Sequence, residues 1–501
     1  MKHIFRRSRI SDRLFTRLGR RAGRRLPSVN GLVLVFLLVC GATGLRLVYV
    51  TPIGQVADEP AHIARAAALT RGIVIGRKEQ FNIGKVAGVM VDQGLDDAAN
   101  SELAPPGYDV HIPAAQRKAA RAIKWSNSLW FDDASGAVEY LPIFYLPGTL
   151  GIGIGHLIGQ SPLQTLYTGR LFMLFGFLLI GGYALQIARF GRPILFAILA
   201  LPMSLSLAAS FNQDGMLIAA CALCVALLTQ NDATAPKARW IAAAIFAAVL
   251  CSKPPYGLLL FCAMIPLRWR GLARRFTLLS LFAIPSIIWV LVMLRTSYTP
   301  SWGASYHPGP LWPGRASDLF TAPNVADNVR VLFAHPRQIL LLPYHYTILY
   351  HTTLVREAIG TYGWLTITMT NQLYHLWKAV LAAATLASIV GTGARARTWR
   401  VIDAFWIILL AVITIVLMEL SLYVSWTDVG GAIITGVQGR YFLEIILFVI
   451  LALPRLGNGI NRFTRWRHAA ASLEIALTLP VIAMAVYDLF YVPNLIVARF
   501  S

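Results

Sequence analysis

Acidic residues are scarce: 45 Lys and Arg stand against 23 Asp and Glu, and charged residues of both signs make up only 14% of 501 positions. With 56% hydrophobic residues and a mean hydropathy of +0.60, this composition excludes an ordinary soluble domain. Cysteine is thin as well. The five, Cys40, Cys221, Cys224, Cys251 and Cys262, all fall in apolar segments. The Cys221–Cys224 spacing has no His or Cys beside it, so these read as small packing residues, not a redox or metal pair. No alternating ten-residue pattern suggests a β-barrel. No GxGxxG or GxxxxGK[ST] follows a strand, which argues against a cytoplasmic nucleotide-sugar donor.

What is present is a series of apolar runs approaching the roughly 20 residues a membrane helix needs. The expected fold class is therefore an all-α polytopic membrane protein. The formal net charge of +22 comes from short Lys/Arg clusters between those runs, the pattern of membrane topology and not of nucleic-acid binding. Residues 1–28 form a basic leader, read as a cytoplasmic N-terminus before an uncleaved first helix. Residues 29–501 form the transmembrane domain, with a first external loop at 51–162 and a second at 295–373. Further helices are expected at roughly 163–187, 194–210, 215–229, 239–252, 256–267, 276–294, 374–393, 401–422, 441–454 and 470–490.

The segment 141–158 is apolar but carries two prolines and four glycines. If it spans, five Arg-rich connections (188–193, 236–239, 268–275, 394–398 and 455–467) fall outside, against the positive-inside rule. If it lies in the interface, all five fall inside with the leader. The second arrangement gives about eleven spans and places every unusual polar cluster at the outer face of the membrane.

Those clusters are Asp58 and Glu59 in QVADEPAHIAR, Asn212 to Asp214 in SFNQDG, Lys253 in CSKPPY, and Gln438 to Arg440 in GVQGRY. Polar groups at membrane depth are costly and are usually functional or paired. Group transfer from a membrane-embedded phosphate needs a carboxylate for the attacking hydroxyl and cations for the leaving phosphate. Asp58 or Glu59 can supply the base, with Asp214 a further acid. Lys253 and Arg440 can hold the phosphate, Arg through its fork. His62, Asn212, Tyr256 and Gln438 are candidate substrate contacts, and Pro254 and Pro255 would break the helix after Lys253.

Each has a plainer reading: Asp58 and Asp214 as helix caps, Lys253 snorkelling to headgroups, Arg440 paired with Glu444 one turn on. Trp302, Trp312, Tyr306, Tyr344, Tyr346 and Tyr362, with His307, His335, His345 and His351, form either a membrane belt or a sugar-stacking platform in the second loop. A divalent cation bridging Asp58, Glu59 or Asp214 to phosphate is chemically sensible, yet nothing in the sequence requires it. No other cofactor is indicated.

The stretches ADEPAHIARA, EYLPIFYLPGTLGIGIG with Gly169-Arg170, SFNQDG, SKPPY, REAIGTYGW and GVQGRYF resemble, in order and spacing, a bacterial membrane family defined as a domain of unknown function and related to the GT-C glycosyltransferases. The resemblance covers about residues 30–455. It implies a GT-C-like fold in which Asp58 is the base, Glu59 its neighbour or a metal contact, and Asp214 a second external acid. Segment 141–158 would be a juxtamembrane helix. The region before it departs from the pattern, so Pro105 and Pro106 receive no donor-site role. The expected function is transfer of one sugar, with inversion, from polyprenyl phosphate to a hydroxyl of a cell-envelope glycan or glycolipid. A flippase of lipid-linked sugars and a lipid-linked glycan polymerase are the alternatives; a flippase would show an internal repeat of broken helices, and none is visible.

Overall fold

Asn30 accepts a hydrogen bond from the Leu32 N–H at 3.0 Å and caps the first helix, α1, Gly31–Val50. The computed structural model describes residues 30–82, 84–103, 110–230, 235–300, 303–392, 400–453 and 466–501. The basic leader, Pro105, Pro106, Trp302, the connection 394–398 and most of 455–467 lie outside the described residues.

The first loop opens with α2, Glu59–Thr70, and continues through β1 (Arg77–Phe81), β2 (Gly84–Asp92), α3 (Gln93–Asn100), α4 (Ala114–Ala122) and β3 (Leu129–Asp133). The sequence led to the expectation of partial helix here. The structure adds an antiparallel sheet of order β1-β2-β3, with Arg77 opposite Gly88 and Gly88 opposite Asp133. Ala87, Val89 and Val91 of β2 are buried and form a small core with Ile63 and Ala67 of α2 and Leu95 of α3. β-Branched residues suit such a pleated, half-covered surface.

A three-ten turn, Pro142–Tyr145, leads into α5, Leu146–Leu157. Its 12 residues extend about 18 Å, short of a bilayer core of about 30 Å. It packs on α2 and on α6, Pro162–Ile187, so closely that a Cβ on Gly151 would stand 2.6 Å from Gly169 Cα.

Arg170, near the start of apolar α6, is fully buried. It grips Glu59 with Nε to Oε1 at 2.8 Å and Nη2 to Oε2 at 2.5 Å. Its other donors reach the carbonyls of Val48, Thr51 and Pro52 at 3.0, 2.6 and 2.9 Å, where α1 ends. All five guanidinium N–H groups are thereby used, and carbonyls that a helix end leaves unpaired are satisfied.

Beyond α6, the single helix expected at 194–210 is two, α7 (Arg192–Leu199) and α8 (Pro202–Ala208), broken where Pro202 cannot donate to the ladder. Next come α9 (Asp214–Leu228), α10 (Ala235–Ser252), a three-ten segment (Pro254–Met264) and the interrupted helix α11 (Leu272–Thr296). The second loop is more ordered than a loop reading implies, holding α12 (Val325–Ala334), the 23-residue α13 (Gln338–Gly360) and a hairpin of β4 (Thr361–Tyr362) and β5 (Ile367–Thr368). Pro343 and scattered polar residues hide α13 in the sequence. Then follow α14 (Asn371–Thr392), α15 (Val401–Ser425), α16 (Phe442–Val449) and α17 (Trp466–Phe500).

Among the described residues six helices are long and apolar enough to cross a membrane: α1, α6, α11, and the apolar parts of α14, α15 and α17. The expected count of about eleven included shorter apolar pieces such as α9, with 15 residues, and Pro254–Met264, with 11.

Replacing Arg170 by Met leaves the Glu59 carboxylate buried without its partner. The expected loss is about 3–5 kcal/mol, read as a lowered melting temperature of the purified protein. Melting unchanged from wild type would show that the pair does not hold the loop.

Candidate active site

Asp58 precedes α2 in the left-handed region, φ 65°, ψ 2°. A non-glycine residue pays for that conformation, Asp less than most, and its neighbours must hold it there. They do so from four directions. The Ala57 N–H donates to Gly363 O at 3.2 Å, and Trp364 Nε1 to Gly54 O at 3.2 Å. Asn212 Nδ2 donates to Ala57 O at 3.2 Å, and the Gly54 N–H to Glu59 Oε2 at 3.1 Å.

The Asp58 side chain caps nothing in α2. It accepts a hydrogen bond from Arg440 Nη2 at 2.6 Å, and while Arg440 is 4% exposed, Asp58 is 48% exposed. Arg440 Nε lies 3.3 Å from Asp214 Oδ2, and Lys253 Nζ lies 3.1 Å from Asp214 Oδ1. The order Asp58–Arg440–Asp214–Lys253 is thus one chain of alternating charge. Its members come from four separated stretches of sequence.

Local structure explains the placement. Asn212 Oδ1 accepts the Asp214 N–H at 2.9 Å, fixing the corner that starts α9. α10 stops at Ser252 because Pro254 and Pro255 follow; Lys253 then adopts φ −129°, ψ 67° and its Nζ rests 4.2 Å from the centre of the Tyr441 ring. Tyr256 Oη donates to Tyr441 O at 2.7 Å, tying that break to the 439–441 turn. The turn is held from α13 as well. The Gly439 N–H donates to Glu357 Oε2 at 2.7 Å, and a Cβ on Gly439 would meet Leu354 O at 2.0 Å, so only glycine fits.

The plainer readings of the cations do not describe this structure. Lys253, its side chain 12% exposed, pairs with Asp214 instead of reaching toward headgroups, and Arg440 pairs with Asp58 and Asp214, not Glu444. Glu59 stands apart from the charge chain: both oxygens bind Arg170, and they also accept the Gly54 and Phe211 N–H groups. That gives Glu59 a structural task. His62, one turn into α2, shares a 2.6 Å hydrogen bond with Tyr145 Oη and stacks on the Tyr140 and Tyr145 rings. Burial pushes its pKa down to about 4, only partly opposed by Asp58 and Asp214. Tyr256 is engaged as described, and Gln438 lies at the turn with Oε1 lacking a partner.

Buried polar side-chain atoms are normally paired. Beside the charge chain, Gln213 Nε2, Gln438 Oε1 and both carboxylate oxygens of Glu444 are buried with no hydrogen-bond partner among the described residues. The metal expectation fares differently. Among the described residues no three His, Cys, Asp or Glu side chains gather as a metal site, Asp214 is matched by two cations and Glu59 by Arg170. These donors do not fit a cation, and no chemistry is routed through one. Among the described residues the second-loop aromatics form no single platform: Tyr346 and Tyr362 are core, Trp312 donates to Asp318 within its own loop, and Tyr344 is exposed.

A family model described as "Predicted membrane protein (DUF2142)" matches residues 42–449. The chain belongs to this family. Every residue of the charge chain lies within the matched span. Comparison with curated proteins gave no match, and comparison with solved structures gave none. The description fixes a membrane protein and leaves activity to be argued from the site.

Arg170, Tyr140, Tyr145, Glu357 and Tyr441 received no role from the sequence, and Glu444 only that of a partner for Arg440. Arg170 and Glu444 did signal themselves as charges inside apolar helices of this DUF2142 protein.

An unfolded histidine protonates near pH 6.5, whereas buried His62 stays neutral to about pH 4. Between those values the unfolded chain binds more protons. The contribution of neutral His62 to stability is complete above 6.5 and falls toward pH 4, by at most about 1.4 kcal/mol per unit. Thermal unfolding of wild type across that window should show a steeper acid loss than His62→Gln; identical slopes would mean that His62 is not held neutral.

Proposed function

We propose that this DUF2142 protein is a GT-C-like membrane glycosyltransferase, moving one sugar from polyprenyl phosphate to a hydroxyl of a cell-envelope glycan or glycolipid. The observation that carries the reading is the alternating chain itself: a half-exposed carboxylate at one end and two nearly buried cations behind it. In this mechanism Asp58 takes the proton of the acceptor hydroxyl, whose oxygen attacks the anomeric carbon as the bond from that carbon to the phosphate oxygen breaks. The electron pair leaves with the phosphate, which gains a negative charge. Lys253 and Arg440 stabilise that charge where it develops, in surroundings drier than bulk water. Asp214 holds both cations in register until the anion arrives.

Direct displacement inverts the anomeric centre. The proposed location is the outer face of the inner membrane, with the N-terminus in the cytoplasm and 141–158 lying in the interface. Support comes from the shortness of α5 and from the side that the basic connections must occupy. Shared chemistry, not a matched relative, supports the GT-C relationship.

The test is a panel of polyprenyl-phosphate sugars offered with acceptor lipids to the purified protein in nanodiscs. The expected result is release of polyprenyl phosphate and a product of inverted anomeric configuration by NMR. Retention of configuration would remove direct displacement. Movement of intact donor across the membrane without release would favour a flippase.

A further inference from the structure

The charge chain is balanced by itself, two carboxylates against two cations. Glu444 makes a third carboxylate, one helical turn beyond Arg440 and completely buried. Neither of its oxygens has a hydrogen-bond partner among the described residues. Elements packed against α16 present Asp214 and Cys221 of α9, Lys253 and Tyr256 of the chain break, and Arg440 and Tyr441 of the turn. The carboxylates of α15 are bonded elsewhere, Asp403 to the Leu267 N–H and Glu419 to Thr347, its buried Tyr423 hydroxyl has no hydrogen-bond partner among the described residues, and Arg192 of α7 donates to Gln186 O. Lys253 and Arg440 are thus the charges that Glu444 shares with Asp214.

An ionised Glu444 gives the cluster one negative charge too many, and an entering phosphate adds another. Asp58 and Asp214 are tied into ion pairs, whereas no hydrogen bond from another residue holds the Glu444 carboxylate, which has only the charges of Lys253 and Arg440 that it shares with Asp214. Burying such a group costs several kcal/mol unless it is paired or neutralised. A protonated Glu444 is neutral and becomes a donor.

We infer that Glu444 is a positioning residue that takes up one proton when a phosphate anion occupies the Lys253–Arg440 site, so anion binding and protonation are coupled. The proton comes from solvent and joins a Glu444 oxygen. It leaves when the anion leaves, and no other bond changes. The inference rests on the phosphate-binding part of the proposed function. It adds that the site favours its lipid phosphate as the outer medium acidifies.

The experiment is isothermal titration of the full-length protein in nanodiscs with dihexyl phosphate, a diester whose own charge stays constant through the neutral range. Buffers of different ionisation heat report the protons exchanged. For wild type the expectation is about one proton taken up per phosphate and an affinity falling about tenfold per pH unit on the alkaline side. Glu444→Gln should bind with neither uptake nor pH dependence, while Glu444→Asp, which keeps a carboxyl, should retain uptake. Binding by wild type without uptake, or uptake persisting in Glu444→Gln, overturns the coupling alone. If wild type fails to bind, or Lys253→Ala binds as well as wild type, the phosphate reading falls and the coupling with it.

Discussion

The Glu59–Arg170 pair is the constraint on which the rest depends. It ties the first loop to α6, closes the end of α1 through three carbonyls and, through the Phe211 N–H, fixes the corner that leads to Asp214. A buried ion pair is weak evidence for stability in general, because desolvation can cancel its Coulomb gain. This one matches every guanidinium donor to an acceptor, the condition under which a buried pair holds. With Glu59 anchored, Asp58 next to it has little freedom, and its left-handed backbone turns the carboxylate toward Arg440.

Electrostatics then arranges the site in depth. Asp58 is half exposed, Arg440, Asp214 and Lys253 behind it are nearly buried, and Glu444 is fully buried. Each cation is held by a carboxylate before any ligand arrives. The cluster therefore needs no ligand to balance its charges, and under the proposed function a phosphate replaces a carboxylate on the same cations. His62 contributes a neutral, stacked surface beside Asp58, because its surroundings are too dry to keep it charged.

Much of this was legible in the chain. Asp58, Asp214, Lys253 and Arg440 announced themselves as polar groups at the ends of apolar runs, and the structure joins them. The proline break after Lys253 was equally plain, since Pro254 and Pro255 permit little else. Pairings between remote residues were not legible: Glu59 and Arg170 are 111 positions apart, Asp58 and Arg440 382 apart, and no local pattern encodes either partner. Two adjacent acids, Asp58 and Glu59, looked alike in sequence and received opposite environments from one change of backbone angle. α13 was hidden by its proline and polar residues, and the three-stranded sheet by its short strands. The site could be read as composition, but its order needed the fold.

The claim at the centre is that Asp58 takes a proton in the reaction and does not merely hold Arg440. The direct measurement compares wild type and Asp58→Asn for polyprenyl-phosphate release and for donor binding in the same preparation. The account predicts that turnover falls about 10²–10⁴-fold while donor binding persists, since Lys253 and Arg440 remain. Equal turnover in the two proteins would contradict it and reduce Asp58 to a tether for Arg440.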